Sequence, residues 1–106
     1  MAYWRDVAAA FTSAHVPLAQ VRHPKDQAPP YAVAWRDGNS QLASDNRPLS
    51  EYTIYLYTKE RDMTLEFALE DALAELGVTY NKGATGHDGE TDLVSIPFRD
   101  IAVYER

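Results

Sequence analysis

The stretch EYTIYLYTKERDMTLEFALEDALAELG, residues 51–77, constrains the fold of this chain more than any other part of the sequence. Aromatic and β-branched residues fill Tyr52–Thr58, a composition typical of a strand. Asp62 then has the position of a helix N-cap, and apolar residues follow at intervals of three and four. Gly77 suits the residue that follows a helix end. The segment therefore predicts a strand, a short charged turn and a helix.

The helix in this segment has one apolar side and one acidic side. The apolar stripe comprises Leu65, Leu69, Ala72, Leu73 and Leu76. The acidic residues are Glu66, Glu70, Asp71 and Glu75. Carboxylates at helical spacing usually form a solvated face, so we expect all four to point into water rather than to act as paired catalytic acids.

The remaining sequence predicts a second helix and further strands. Apolar residues at helical spacing, with Pro17 beyond them, predict a helix from about Tyr3 to Ala14. Strands are expected at Leu18–Arg22, around PYAVAWRDG (30–38), at Val78–Lys82 and at Leu93–Tyr104. The polar residues 39–50 predict a loop or a wide hairpin connection. Pro97 cannot donate to a ladder, so we expect its strand to be an edge or to be bulged there.

These elements predict a single α+β domain covering residues 1–106. The order is α-β-β-β-α-β-β, with a mainly antiparallel sheet of four or five strands and both helices on one face. Alanines alternate with larger residues in YAVAW, which would let a helix approach the sheet closely.

The central strand carries large side chains on both of its faces. Ile54 and Leu56 fit beneath the helices, which leaves Tyr55 and Tyr57 on the far side, together with part of the Tyr31 and Trp35 row. Tyrosine and tryptophan are favoured where a surface is buried against another protein. The far face therefore suggests self-association. The alternative is that strand twist or the long loop covers these rings.

Composition narrows the classes of partner. The formal net charge of -6 and the absence of a basic stripe argue against nucleic-acid binding and against attachment to anionic membranes. The chain has no cysteine, which excludes disulfides and thiolate metal sites. No apolar stretch approaches the roughly 20 residues that span a bilayer, so we expect a soluble protein inside a cell.

Catalytic signals are sparse. The three histidines, His15, His23 and His87, lack the local spacing of a metal site. Asp88, Glu90 and Asp92 alternate in HDGETD but lack the ligand pattern of a calcium loop. We expect a solvated hairpin tip, no cofactor and no enzyme activity. The alternative is a small metal-dependent hydrolase or nuclease that uses these three carboxylates.

A polar patch, ASDN at 43–46, lies in the long predicted loop. Asp45 and Asn46 suit two roles equally, which are stabilising the loop and contacting a partner, and Arg47 follows them directly.

The sequence resembles short proteins of long-tailed bacteriophages that are known as tail terminator, tail completion or head–tail joining proteins. The likeness lies in PPYAVAWRDGNSQLASDN (29–46), YTIYLYTKERDMTLEFALEDAL (52–73) and the closing IAVYE. The family pattern is a Pro-Tyr strand, a loop with Ala-Asp-Asn, a strand ending in Leu-Tyr-Thr, a charged turn and an acidic helix. Here ASDN replaces Ala-Asp-Asn, and Met63 stands where proline is frequent.

The resemblance implies a structural virion protein that forms a ring, typically of six subunits. Such a ring caps the tail tube and docks the head connector, in a virion tail assembled in the host cytoplasm. The expected subunit or tube contacts are Tyr31, Trp35, Asp45, Asn46, Arg47, Tyr55 and Tyr57. A minor capsid or adaptor protein of the same gene cluster is the alternative within this class.

Overall fold

The computed structural model describes residues 2–20, 27–42 and 47–105, and only the backbone of 39–42. The elements are α1 (Trp4–Ser13), β1 (Leu18–Gln20), β2 (Tyr31–Leu42), β3 (Pro48–Thr58), α2 (Met63–Glu75), β4 (Asn81–Lys82), β5 (Gly86–Asp88) and β6 (Leu93–Val103). They confirm the predicted α+β class.

The strands form one mixed sheet in the order β1-β2-β3-β6, with β4 and β5 both paired to the outer side of β6. All neighbouring strands are antiparallel except β1 and β2, which are parallel. The described residues thus contain six strands rather than four or five. The additional strand is β5, within a segment predicted as turn.

The hairpin formed by β2 and β3 is longer than predicted. Residues 39–42 and 48–50 were expected in a loop, but they pair with one another across the hairpin. Two bulges, at 36–38 and 39–41, accommodate the irregular sequence, and Gly38 there has φ 131°. Ladder hydrogen bonds are made by the backbone, so polar side chains do not prevent pairing.

Both helices pack on the same face of the sheet and enclose one main core. Val7 and Phe11 from α1 join Leu69 and Leu73 from α2, and all four are fully buried. They meet a sheet face built from alternate residues: Ala32, Ala34, Tyr52, Ile54, Leu56, Ile96, Phe98, Ile101 and Val103. The small alanines of β2 are buried beneath the helices, as their alternation predicts.

Two helix residues are placed differently from the prediction, since the Glu70 side chain is only 26% exposed and lies 3.5 Å from Lys82 Nζ. Glu66 was expected in water, but its side chain is wholly buried. It is paired there with Lys82 of β4 and Arg61 of the turn before α2. The assignment to solvent was wrong because an ion pair can bring a carboxylate into the buried side of a helix.

Pro97 lies in an interior strand, since β6 has β3 on one side and β4 and β5 on the other. Its carbonyl accepts a hydrogen bond from Gly83 N, in the gap between β4 and β5. In an antiparallel pair the backbone nitrogen and oxygen of one residue point to the same side. The nitrogen of Pro97, which carries no hydrogen to donate, therefore also faces this gap. The irregularity of β6 comes after Pro97, between Phe98 and Ile101.

Candidate functional site

The sheet face opposite the helices carries the aromatic side chains identified in the sequence. Ile54 and Leu56 are wholly buried, so alternation along β3 directs Tyr55 and Tyr57 to the far face. The register places Tyr31 of β2 beside Tyr57. The predicted division of β3 into two faces is confirmed.

These aromatic residues remain partly open to solvent. Trp35 is 46% exposed, and Tyr31, Tyr55 and Tyr57 are each half-buried. We call these four residues the aromatic face. Part of each ring already packs against the sheet, while the rest is available to another surface. Aromatic area with polar tips is typical of protein contacts.

Two of the rings hold each other in place. Tyr31 and Tyr57 stack with ring centroids 5.2 Å apart and an interplanar angle of 27°. Burial, and secondarily the negative charge of Asp88, raises the pKa of both phenols above the ordinary value of 10.0. The phenols are therefore neutral at pH 7 and can donate hydrogen bonds. The pair presents two stacked rings with polar tips.

Beside Trp35, the far face is also ordered by a hydrogen bond. Thr53 is its partner on β3, and the Thr53 hydroxyl donates to Asp37 Oδ2 at 2.8 Å. This contact links the two strands where the exposed indole lies. Trp35 therefore lies where a side-chain contact joins the two strands in addition to the ladder.

Two of the three acidic residues of HDGETD contact their own turn through their carboxylates. Asp88 Oδ1 accepts from the backbone N–H of Glu90 at 2.9 Å, and Asp92 lies 2.7 Å from His87 Nε2. Within the described residues no three His, Asp or Glu side chains form a group that could hold one metal ion. The carboxylates of Glu90 and Asp92 are exposed, and the absence of enzyme activity stays a prediction.

The polar residues proposed as contacts do not all join the aromatic face. Asp45 and Asn46 lie outside the described residues. Arg47 is exposed and sits at the start of β3, with its guanidinium 3.9 Å from the centroid of the Tyr104 ring. Tyr55 and Tyr57 lie toward the other end of β3, so Arg47 belongs to a separate surface.

Sequence reasoning missed that second surface. Tyr3 and Tyr104 pair across an isolated bridge, and their ring centroids are 5.4 Å apart. Arg5 lies 4.7 Å from the Tyr3 centroid, and Arg47 lies 5.9 Å from it. These four residues come from the two chain ends and one hairpin. No local pattern brings them together, although the aromatic residues near each terminus were a weak signal.

In the part of the chain that the structure describes, no helix is long and apolar enough to cross a membrane. No known protein family matches the sequence, and no curated protein matches it either.

Proposed function

We propose that the protein is a tail terminator or head–tail joining protein of a long-tailed bacteriophage. It forms a ring, of six subunits by the resemblance, that caps the tail tube and docks the head connector in the virion tail. It acts through complementary surfaces and carries out no catalysis. Assembly takes place in the host cytoplasm.

The observation that carries this proposal is the aromatic face. Covering the exposed 46% of Trp35 would contribute about 2 kcal/mol of binding free energy. The half-buried tyrosines add further area and neutral hydrogen-bonding tips. Such a surface is suited to permanent contact with a protein neighbour, which is what a capping ring requires.

The resemblance supports the same function. The family pattern runs from a Pro-Tyr strand through a second strand and a charged turn to an acidic helix. The chain has β2, β3, the turn 59–62 and α2 in that order, followed by a closing β6. α2 contains four acidic residues and no basic one.

The test is assembly with purified tail tube protein from the phage that encodes the chain. Native mass spectrometry at several protein concentrations should detect a ring, and electron microscopy should show it on one end of the tubes. The substitution Trp35→Lys should reduce tube-end binding, because it places a charge on the aromatic face. Glu90→Lys makes the same kind of change on the exposed hairpin tip and should leave binding intact.

Binding to head connectors alone, with bare tube ends, would favour the adaptor alternative. A chain that stays monomeric even with the tube protein present would contradict a ring of either kind.

A further inference from the structure

Two surfaces of opposite character lie toward the two ends of β3. The first, which we call the arginine end, comprises Tyr3, Arg5, Arg47 and Tyr104. Arg47 directly precedes β3, and Tyr104 directly follows β6 at the same end of the sheet. The second, which we call the α2 patch, comprises Met63, Phe67 and Asp71.

The arginine end holds two arginines beside a pair of tilted aromatic rings. Arg5 and Arg47 approach the same Tyr3 ring, at 4.7 and 5.9 Å from its centroid, and both are exposed. Two acids that adjoin these residues in sequence have partners within the chain. Asp6 Oδ2 accepts from Tyr3 N at 2.9 Å, and Glu105 accepts from the Tyr52 hydroxyl. Arginine and tyrosine are, together with tryptophan, the residues most enriched at binding hot spots.

The α2 patch combines exposed apolar area with negative charge. Met63 is 40% exposed and Phe67 is 55% exposed, one helical turn apart. Asp71 follows after one more turn and is exposed on the same side. Met63 also lines a cleft of about 720 Å³ with Pro29 and Pro30, so the patch has a concave border.

The charge around this patch favours a cationic partner. The two innermost acids of α2, Glu66 and Glu70, are paired with Lys82, and Arg61 is held by Glu66. Asp71 has no ion-pair partner within the described residues. Glu60 in the preceding turn is also exposed, although Lys59 beside it offsets that charge.

The distance between the two surfaces suits contact between copies. β3 has 11 residues and therefore spans about 33 Å. Met63 begins α2 just beyond the Thr58 end, whereas Arg47 stands at the Pro48 end. A single molecule cannot close these surfaces on each other, but two molecules can.

We propose that the arginine end of one copy docks on the α2 patch of the next copy, head to tail. A ring requires two different surfaces on each subunit that fit each other. Here one is cationic with aromatic rings, and the other is acidic with exposed apolar side chains. This inference rests on the proposed function. It leaves the aromatic face for the tail tube or the head connector.

Mixing two variants of the full chain tests this arrangement. Phe67→Ser with Asp71→Asn damages only the α2 patch, and Arg5→Glu with Arg47→Glu damages only the arginine end. Native mass spectrometry should show the loss of all species above the monomer for each variant alone. An equimolar mixture should form one-to-one heterodimers, because each pair retains a single intact contact.

Matched charge reversals outside both surfaces provide the controls. Glu90→Arg and Arg99→Glu should assemble like the unchanged chain, and circular dichroism should show that every variant is folded. If Arg47→Glu unfolds the chain, Arg5→Glu alone carries the test.

Rings that persist in both surface variants would overturn this inference and leave the proposed function standing. Monomers that do not form heterodimers on mixing would overturn it as well. An unchanged chain that is monomeric alone but forms a ring on the tube would also overturn it. Only failure to assemble with the tube present would overturn the proposed function.

Discussion

Lys82 Nζ lies 2.6 Å from Glu66 Oε1, which joins an edge strand to a wholly buried carboxylate of α2. The second oxygen of Glu66 accepts from Arg61 Nε at 3.2 Å. Lys82 also reaches Glu70 Oε2 at 3.5 Å, and Glu70 accepts from the Tyr80 hydroxyl. Burial, and then Glu70, raises the pKa of Tyr80 to about 12. β4 has only two residues, so this network contributes to holding it against the helix layer.

The substitution Glu66→Gln should lower the free energy of unfolding by about 2 kcal/mol. It removes the charge that satisfies Lys82, which is itself mostly buried, and leaves two charged donors facing a neutral amide. Urea denaturation at pH 7 measures the change. Glu75→Gln makes the same chemical change at an exposed position of the same helix and should have almost no effect. Equal stability of the two variants would show that the buried pair contributes nothing.

The lowered pKa of Glu66 makes the free energy of unfolding depend on pH. Burial opposes its ionisation, but hydrogen bonds from Lys82 and Arg61 outweigh that cost and lower the pKa of Glu66 below 4.5. The unfolded chain therefore takes up this proton before the folded chain does. Stability from the pair should be complete above about pH 4.5 and should be lost as pH falls through the lower folded value.

Urea denaturation of the unchanged chain and of Glu66→Gln, from neutral pH down into the acid range, checks this dependence. The difference in unfolding free energy between them should shrink as Glu66 becomes protonated. A difference that stays constant with pH would contradict the assignment.

Local signals in the sequence predicted much of this fold. Asp62 accepts from Leu65 N at 3.0 Å, as an N-cap should, and Gly77 has φ 73° just beyond α2. The alternation at 54–57 also gave the two faces of the sheet correctly. These features depend on residues that are close together in the sequence, so the local sequence pattern is enough to predict them.

Features that depend on distant residues were not predictable in this way. Glu66 lies at helical spacing from the buried Leu69 and Leu73, so spacing alone predicts that it is buried. Its charge led instead to the prediction of a solvent-exposed position, because its partner Lys82 lies 16 residues away in sequence and is not part of the local pattern. The aromatic face was found by alternation alone. The arginine end was not, because Tyr3 and Tyr104 meet only through the sheet topology.

Gly83 should not tolerate a side chain. A Cβ at this position would stand 2.6 Å from Pro97 Cγ and 3.2 Å from Arg99 Nε, and the proline ring cannot move aside. Gly83→Ala should therefore lower the free energy of unfolding by about 1–3 kcal/mol. Gly89→Ala should be nearly neutral, because a Cβ there meets nothing within 4 Å. Thermal unfolding of both variants measures the difference.

A second substitution tests the cause of this effect. Pro97→Ala removes the clashing ring, so it should recover most of the loss when combined with Gly83→Ala. If the double variant is as unstable as the sum of the two single variants, the contact between Gly83 and Pro97 is not the reason.

Removal of the Thr58 hydroxyl should raise the free energy of unfolding. Thr58 Oγ1, at the end of β3, is buried and has no hydrogen-bond partner among the described residues, and the residue is only 4% exposed. Valine has nearly the same shape and suits a strand, so Thr58→Val should raise the free energy of unfolding by about 1 kcal/mol. Thr53→Val is the matched control. Its hydroxyl donates to Asp37, so that variant should lose stability. Urea denaturation should thus give opposite signs for the two threonines, and a loss at Thr58 would mean that its hydroxyl has a partner in solution.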